Sequence, residues 1–406
     1  KIEEYNIHNY DLVCVSCPNL TQLIPTFILT RILKEKYNKT ICIGGNIISR
    51  IDSELIKMPE LFNKFFDYIL IGPGEESLVN LADYLSNKKN SINIKGLLYK
   101  KDGNVIINKP DLKYDISKSS SISLDGLTLN KYFTPDIIMP IQASKGCYWA
   151  KCVFCGLHYP RKKYTTKNPI KLVDEIQFLQ EKYNINYFEF IDEAIHPDYL
   201  VQIADEIIKR KLHIKYLCCL RLEKSFSSDE LCQKLYKSGL VLAEFGFETN
   251  SRRIYKSLNK GINFDNRKKI ISSFSNAGIY TYLYAILGYP TETREEAIDT
   301  LLYAKQNKSI VDNMFIHQFW LDKKSIAYKK YKSIGISNLD NQNKNSFVQS
   351  CKYTCKKGID SIEIKKLLAK NLEGNQLKKH IFFAPDEYFF LYVLHYGRAK
   401  TKELFL

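Results

Sequence analysis

From residue 138 to residue 320 the chain repeats one alternation, a short apolar run rich in β-branched and aromatic residues followed by an amphipathic stretch of helical period. The strand-like runs are IMPIQAS (138–144), YFEFI (187–191), IKYLCCL (214–220), LVLAEFGF (240–247), IYTYLYAIL (279–287) and MFIHQFW (314–320). Helical patterns fill 168–182, 198–210, 228–238, 264–277 and 292–307. A helix between two strands returns the chain to the end where it started, so successive strands pair in parallel. Such units make most of a (β/α)6 barrel and put any chemistry at the C-terminal strand ends.

The first hundred residues show the same alternation on a smaller scale. DLVCVSC (11–17), TICIGG (40–45) and DYILIGPGEES (67–77) read as strands or strand ends, with helices at 26–37 and 77–85. GLLYKKDGNVIINKP (96–110) reads as a hairpin turning at Asp102-Gly103. The pattern predicts an open parallel sheet of Rossmann-like form, which binds ligands where the strands end and where Gly44, Gly45, Gly72 and Gly74 allow close backbone approach. No GxGxxG fingerprint accompanies these glycines, which argues against a dinucleotide. The expected fold class is therefore α/β, with an open-sheet domain over 1–99, a polar linker over 100–136, a partial barrel over 137–321 and a mainly helical C-terminal region over 322–406.

Composition narrows the setting. No apolar run approaches the roughly 18 to 20 residues that span a bilayer, and no signal segment opens the chain, so a cytoplasmic protein without a membrane partner is expected. The chain begins at Lys1 and enters a strand-like run almost directly, from which a missing upstream segment is expected. Eleven cysteines, an odd number, point to reduced thiols and metal or redox chemistry rather than a disulfide framework. The formal charge of +16 would attract an acidic partner, although the lysines behind it are scattered through every segment and equally describe a solvated face.

Three of those cysteines, Cys147, Cys152 and Cys155, crowd into GCYWAKCVFCGLHYP (146–160), at the end of the first barrel strand. Thiolates hold iron-sulfur clusters, and a four-iron cluster normally takes four. Three ligands leave one iron open to a substrate or cofactor. The competing reading is zinc, because His158 would complete a Cys3His set. No second ligand pair makes a separate finger, but the residues by themselves leave both metals open.

The cysteine loop resembles that of the radical S-adenosylmethionine (radical SAM) superfamily, whose usual motif is CxxxCxxC with an aromatic before the last cysteine. Cys147, Cys152, Phe154 and Cys155 match those roles, with four residues between the first two cysteines instead of three. Longer spacings occur in cobalamin-type and peptide-modifying branches. FIDEA (190–194) resembles the family's acidic motif, which would put Asp192 and Glu193 near the methionine moiety. CLRLE (219–223) would bring Arg221 to the cofactor's carboxylate or a catalytic acid, EFGFETNS (244–251) would bring Glu248 to its ribose or amine, and ILGYPTET (286–293) would line the adenine site with Gly288 and Pro290. The resemblance implies a 4Fe-4S cluster, S-adenosylmethionine, and reductive cleavage to a 5'-deoxyadenosyl radical that abstracts a substrate hydrogen. It also implies an external electron donor of flavodoxin or ferredoxin type.

Residues 11–90 resemble the cobalamin-binding domain that precedes the barrel in one branch of that superfamily. The residues that would line the corrinoid's nucleotide-tail pocket are Ser16, Gly44, Gly45, Gly72, Gly74 and Glu75. No DxHxxG occurs, which fits a branch without a lower histidine ligand. The implied reaction is C-methylation or another radical modification, and the form of the cysteine motif points to a peptide or specialised-metabolite substrate. A tRNA methylthiotransferase would share the barrel but should carry three well-spaced N-terminal cysteines, and Cys14, Cys17 and Cys42 are badly spaced for that. Nucleic acid is therefore not the expected partner. A zinc-binding scaffold for nucleic acid is the non-enzymatic alternative. CKYTC (351–355) on a helix or loop, and His317 on the last barrel strand, read as structural.

Overall fold

The computed structural model describes residues 1–111, 115–157, 163–340, 347–372 and 386–405. Its first layer is a five-stranded sheet in the order β1 (Leu12–Ser16), β2 (Thr40–Gly44), β3 (Tyr68–Leu70), β4 (Leu97–Lys101) and β5 (Asn104–Ile107). Strands β1 to β3 are parallel, and the β4–β5 hairpin adds to β3 in antiparallel sense. The sheet is thus mixed at one edge. It also runs past residue 99, because β5 lies within the stretch read from the sequence as linker and pairs with β4. Asp102 and Gly103 both take positive φ, 49° and 82°, as the tight hairpin turn requires.

The second layer is a six-stranded sheet formed by β6 (Ile138–Ile141), β7 (Tyr187–Phe190), β8 (Lys215–Leu220), β9 (Leu240–Glu248), β10 (Tyr280–Leu287) and β11 (Asn313–Gln318), all paired in parallel. Sequence order equals spatial order, as in a partial barrel. Helices Pro169–Tyr183, Pro197–Lys209, Asp229–Lys237, Arg267–Asn276 and Arg294–Gln306 form the crossovers. Local chemistry sets their starts: Asn168, Ser228 and Thr293 accept backbone N–H groups at the first turn, and Glu296 completes a capping box with Thr293. Alternate residues of β8 face opposite ways. Tyr216, Cys218 and Leu220 join the main core with the outer helices, while Leu217 faces Phe389 and Phe390 of the C-terminal helical segment Asp386–Phe405, which closes one end of the lumen.

Two departures from the sequence reading have local causes. The first barrel strand stops at Ile141 rather than 144, because the backbone N–H groups of Ala143 and Ser144 turn to the Asp192 carboxylate. The C-terminal region is mainly helical, as expected, but CKYTC lies on neither a helix nor a loop. Leu321–Asp322 pairs with Ser350–Cys351, and Ile336–Leu339 with Tyr353–Cys355, so the CKYTC segment is strand and its two thiols belong to separate ladders. Among the described residues no helix is long and apolar enough to cross a membrane.

Candidate active site

The cysteine loop is built into the mouth of the barrel by its neighbours. Val153 N–H donates to Leu258 O at 2.9 Å, and Ala327 N–H donates to Val153 O at 2.7 Å. Trp149 Nε1 donates to Asn259 O at 2.7 Å, and Asn259 Nδ2 returns a bond to Lys151 O at 3.0 Å. A β-carbon on Gly261 would lie 2.1 Å from the Trp149 ring, so glycine is required there. Phe154 packs against the buried cluster of Ile254, Leu258, Ile286, Tyr289 and Phe319. The segment receiving the loop follows a six-residue helix, Arg252–Ser257, that the sequence reading missed; Ser251 caps it, but it is too short to show a period.

Cys147, Cys152 and Cys155 are free and half-buried. Burial pushes the Cys155 thiol up to about 12, with Cys152, Glu193 and Cys147 adding to the rise. Burial also raises Cys152, while the Lys260 and Arg221 cations oppose the rise. All three thiols therefore share one electrostatic neighbourhood with Glu193. Among the described residues no three His, Cys, Asp or Glu side chains close on a point that a single metal ion would occupy. His158, the fourth ligand of the zinc reading, lies outside the described residues. Three soft thiolate donors beside two fixed cations suit an anionic thiolate-ligated cluster.

Around the loop the predicted motif residues converge, some in roles the sequence did not reveal. Asp192 is buried and uses both carboxylate oxygens on the start of the loop, accepting from Ala143 N–H at 3.1 Å, from Ser144 N–H, and from Ser144 Oγ at 2.5 Å. Burial pushes its pKa up to about 6 against those hydrogen bonds. Arg221 is buried, with Nε on Glu223 at 2.9 Å and Nη2 on Lys260 O at 2.5 Å, and its guanidinium lies 5.3 and 5.2 Å from the Tyr148 and Trp149 rings. Glu248 sits at a register shift in β9 with φ 67°, a bulge that turns it toward Lys260 Nζ at 2.5 Å. Burial opposes charge on Lys260, but Glu248 and Cys152 outweigh it and hold the ammonium above its ordinary value. Lys260 was not singled out from the sequence, since one lysine among many scattered ones carries no periodic or motif signal.

Gly288 takes φ 80° at the end of β10, and its N–H donates to Glu292 Oε2 at 2.5 Å; Pro290 is buried in the same turn. Glu292 is fully buried with Oε1 unpaired, and burial pushes its carboxyl up to about 7. His317 is half-buried, with Nδ1 3.1 Å from Gln318 O and its ring beside Phe315.

On the N-terminal sheet, Ser16, Gly44, Gly45, Gly72, Gly74 and Glu75 all line one cavity of about 460 Å³, together with Cys14, Cys42 and Lys145. Gly74 leaves open space where a β-carbon would be, whereas one on Gly45 would strike the Cys17 backbone at 2.6 Å. Gly74 thus keeps the cavity open, and Gly45 permits the turn. Lys145 reaches Glu75 at 3.4 Å across the two domains.

Residues 141–304, a stretch that includes the cysteine loop, match the family model described as the radical SAM superfamily. Among curated relatives it is 26% identical over 245 residues to an uncharacterized methyltransferase, PH0819, of Pyrococcus horikoshii, a match covering 59% of this chain and 53% of that protein. The chain spans about half the length of the curated relatives it matches. Among solved structures it superposes on the cobalamin-dependent S-adenosylmethionine radical enzyme OxsB, with aqua-cobalamin and S-adenosylmethionine bound, with TM-score 0.74, 16% identity, and coverage of 99% of this chain and 65% of that one. The radical S-adenosylmethionine methyltransferase TsrM from Kitasatospora setae gives TM-score 0.73 and 14% identity, covering 99% and 90%. At those identities the likeness concerns the fold of both domains and their order.

Proposed function

We propose that this chain is a cobalamin-dependent radical SAM enzyme that C-methylates, or otherwise modifies by radical chemistry, a peptide or specialised-metabolite substrate. The observation that carries the reading is the cavity on the N-terminal sheet: it is bordered by Lys145, two residues before the first cysteine, so a corrinoid held there would lie beside the start of the cluster loop. When bound, a four-iron cluster with one open iron supplies the electron that splits the sulfonium of S-adenosylmethionine, and a corrinoid supplies a methyl group.

The chain's own residues would hold and orient these groups. Cys147, Cys152 and Cys155 are the cluster ligands, and Arg221 and Lys260 offset the negative charge that the thiolates bring. Asp192 fixes the loop's entry through Ala143 and Ser144 and so serves as a positioning residue. Glu193 and Glu248 are carboxylates suited to the cofactor's ammonium or ribose, and the Gly288–Pro290 turn suits the adenine. Ser16, Gly44, Gly72, Gly74 and Glu75 would line the corrinoid tail. The net charge of +16 favours encounter with an acidic electron donor of flavodoxin or ferredoxin type, and with an acidic leader peptide.

Anaerobic reconstitution with iron, sulfide and hydroxocobalamin tests the reading. The expected result is about four irons per chain, retained corrinoid, and 5'-deoxyadenosine on addition of S-adenosylmethionine and a strong reductant. Bound zinc with no visible absorbance, or no 5'-deoxyadenosine, would reject it.

A further inference from the structure

The helix Asn46–Arg50 begins directly after the glycine pair at the end of β2, and its last two residues point to different places. Ser49 fastens the cavity on the N-terminal sheet: its Oγ donates to Gly45 O at 3.1 Å and accepts from Gly72 N–H at 2.9 Å, tying together two glycine turns that line the cavity. Arg50 leaves that domain altogether. Its side chain is 5% exposed, its Nη1 donates to Gly156 O at 2.9 Å, and its Nη2 pairs with Asp322 at 2.5 Å. Gly156 is the residue after the third cysteine, and Asp322 follows the last barrel strand.

The contact is closely fitted. A β-carbon at Gly156 would lie 2.5 Å from the Asp322 carboxylate, so any side chain there would push the ion pair aside. A second ion pair, Lys324 to Asp52 at 3.1 Å, joins the segments that follow Arg50 and Asp322, Asp52 opening the next short helix. A guanidinium buried away from water keeps its charge only with such partners, and its planar fork presents both donors in fixed directions. Displacing Gly156 therefore displaces Arg50, and through the single turn of helix it displaces Ser49 and the cavity wall.

We infer that Arg50 is a positioning residue that couples the corrinoid pocket to the cluster loop, so that filling one site favours the geometry of the other. The inference rests on the corrinoid reading given above. Coupling between two ligand sites is reciprocal, so the cluster should tighten corrinoid binding by the factor by which corrinoid stabilises the cluster.

The test measures the Kd of hydroxocobalamin by equilibrium dialysis under anaerobic conditions, for wild-type protein and R50Q, each with the cluster reconstituted and with it stripped by chelator. Wild-type protein is expected to bind hydroxocobalamin about fivefold or more tightly with the cluster in place, the lower end of common coupling factors. R50Q should still bind it, because Ser49 and the glycine turns are intact, but the ratio between the two states should fall to about one. Should R50Q fail to fold, R50K, which keeps a cation for Asp322 but lacks the planar fork that also bonds Gly156 O, is read in the same way. A ratio in the variant equal to that of the wild type, or a wild-type ratio of about one, overturns the inference and leaves the corrinoid reading standing. Wild-type protein that takes up no hydroxocobalamin in either state overturns the corrinoid reading and this inference with it.

Discussion

Lys260 and Glu248 show how one buried pair governs a site. Both are nearly inaccessible, with side-chain exposures of 6% and 8%, and the lysine also donates to Gly246 O at 2.8 Å. Removing one partner leaves a charge in a place water does not reach, so K260M should lose about 3 to 5 kcal/mol of stability in urea unfolding. The double variant E248Q/K260M should recover much of that loss, since the stranded carboxylate is gone, and the cycle isolates the pair. Glu292 presents the opposite case, a buried carboxyl whose nearest cation, Arg253, bonds Thr291 and Glu296 instead. Its folded pKa of about 7 lies above the ordinary value of 4.5, so the protonated form is the one the fold prefers. The stability from that proton is fully present below pH 4.5 and is lost as pH rises through 7. E292Q keeps an acceptor for the Gly288 N–H and cannot ionise. It should therefore raise Tm at pH 8, by a free energy on the order of 3 kcal/mol, and change little at pH 4.

At the scale of elements, the cysteine loop owes its shape to the segment it lands on. Trp149 lies against Gly261, which has φ 70° and no room for a side chain. G261A therefore combines backbone strain with a clash against a ring held at both its nitrogen and its face. It should cost about 1 to 3 kcal/mol and free the loop. The expected signs are a red-shifted tryptophan emission and faster loss of iron to a chelator from the reconstituted protein. Emission and iron retention like those of the wild type would mean that the loop holds its shape without this contact.

For the whole molecule, the C-terminal helical segment acts as the floor of the barrel. Asp312, fully buried before β11, accepts from Arg398 Nε at 2.8 Å, Lys402 Nζ at 2.9 Å and Thr281 N–H at 2.8 Å. Phe389 and Phe390 of the same segment pack against Leu217, Leu242, Tyr280 and Tyr282. D312A would strand two cations and unpin the segment. We expect a loss of about 3 to 5 kcal/mol in thermal unfolding and new dye-binding apolar surface from the exposed lumen.

The sequence by itself determined the alternation of strands and helices, the parallel pairing that follows, and the neighbourhood of the cysteine loop, because periodicity and crossover geometry are local properties that a chain carries along its length. It also marked Gly44, Gly45, Gly72 and Gly74 as strand-end positions, and they line one cavity. What only the tertiary structure decided are the partnerships between residues far apart: Lys260 with Glu248, Asp192 with the loop's own backbone, and Arg50 with Gly156 and Asp322. None of these has a period or a motif. A buried charge is stable only where another segment supplies its counter-charge, and that segment is known only once the chain has folded.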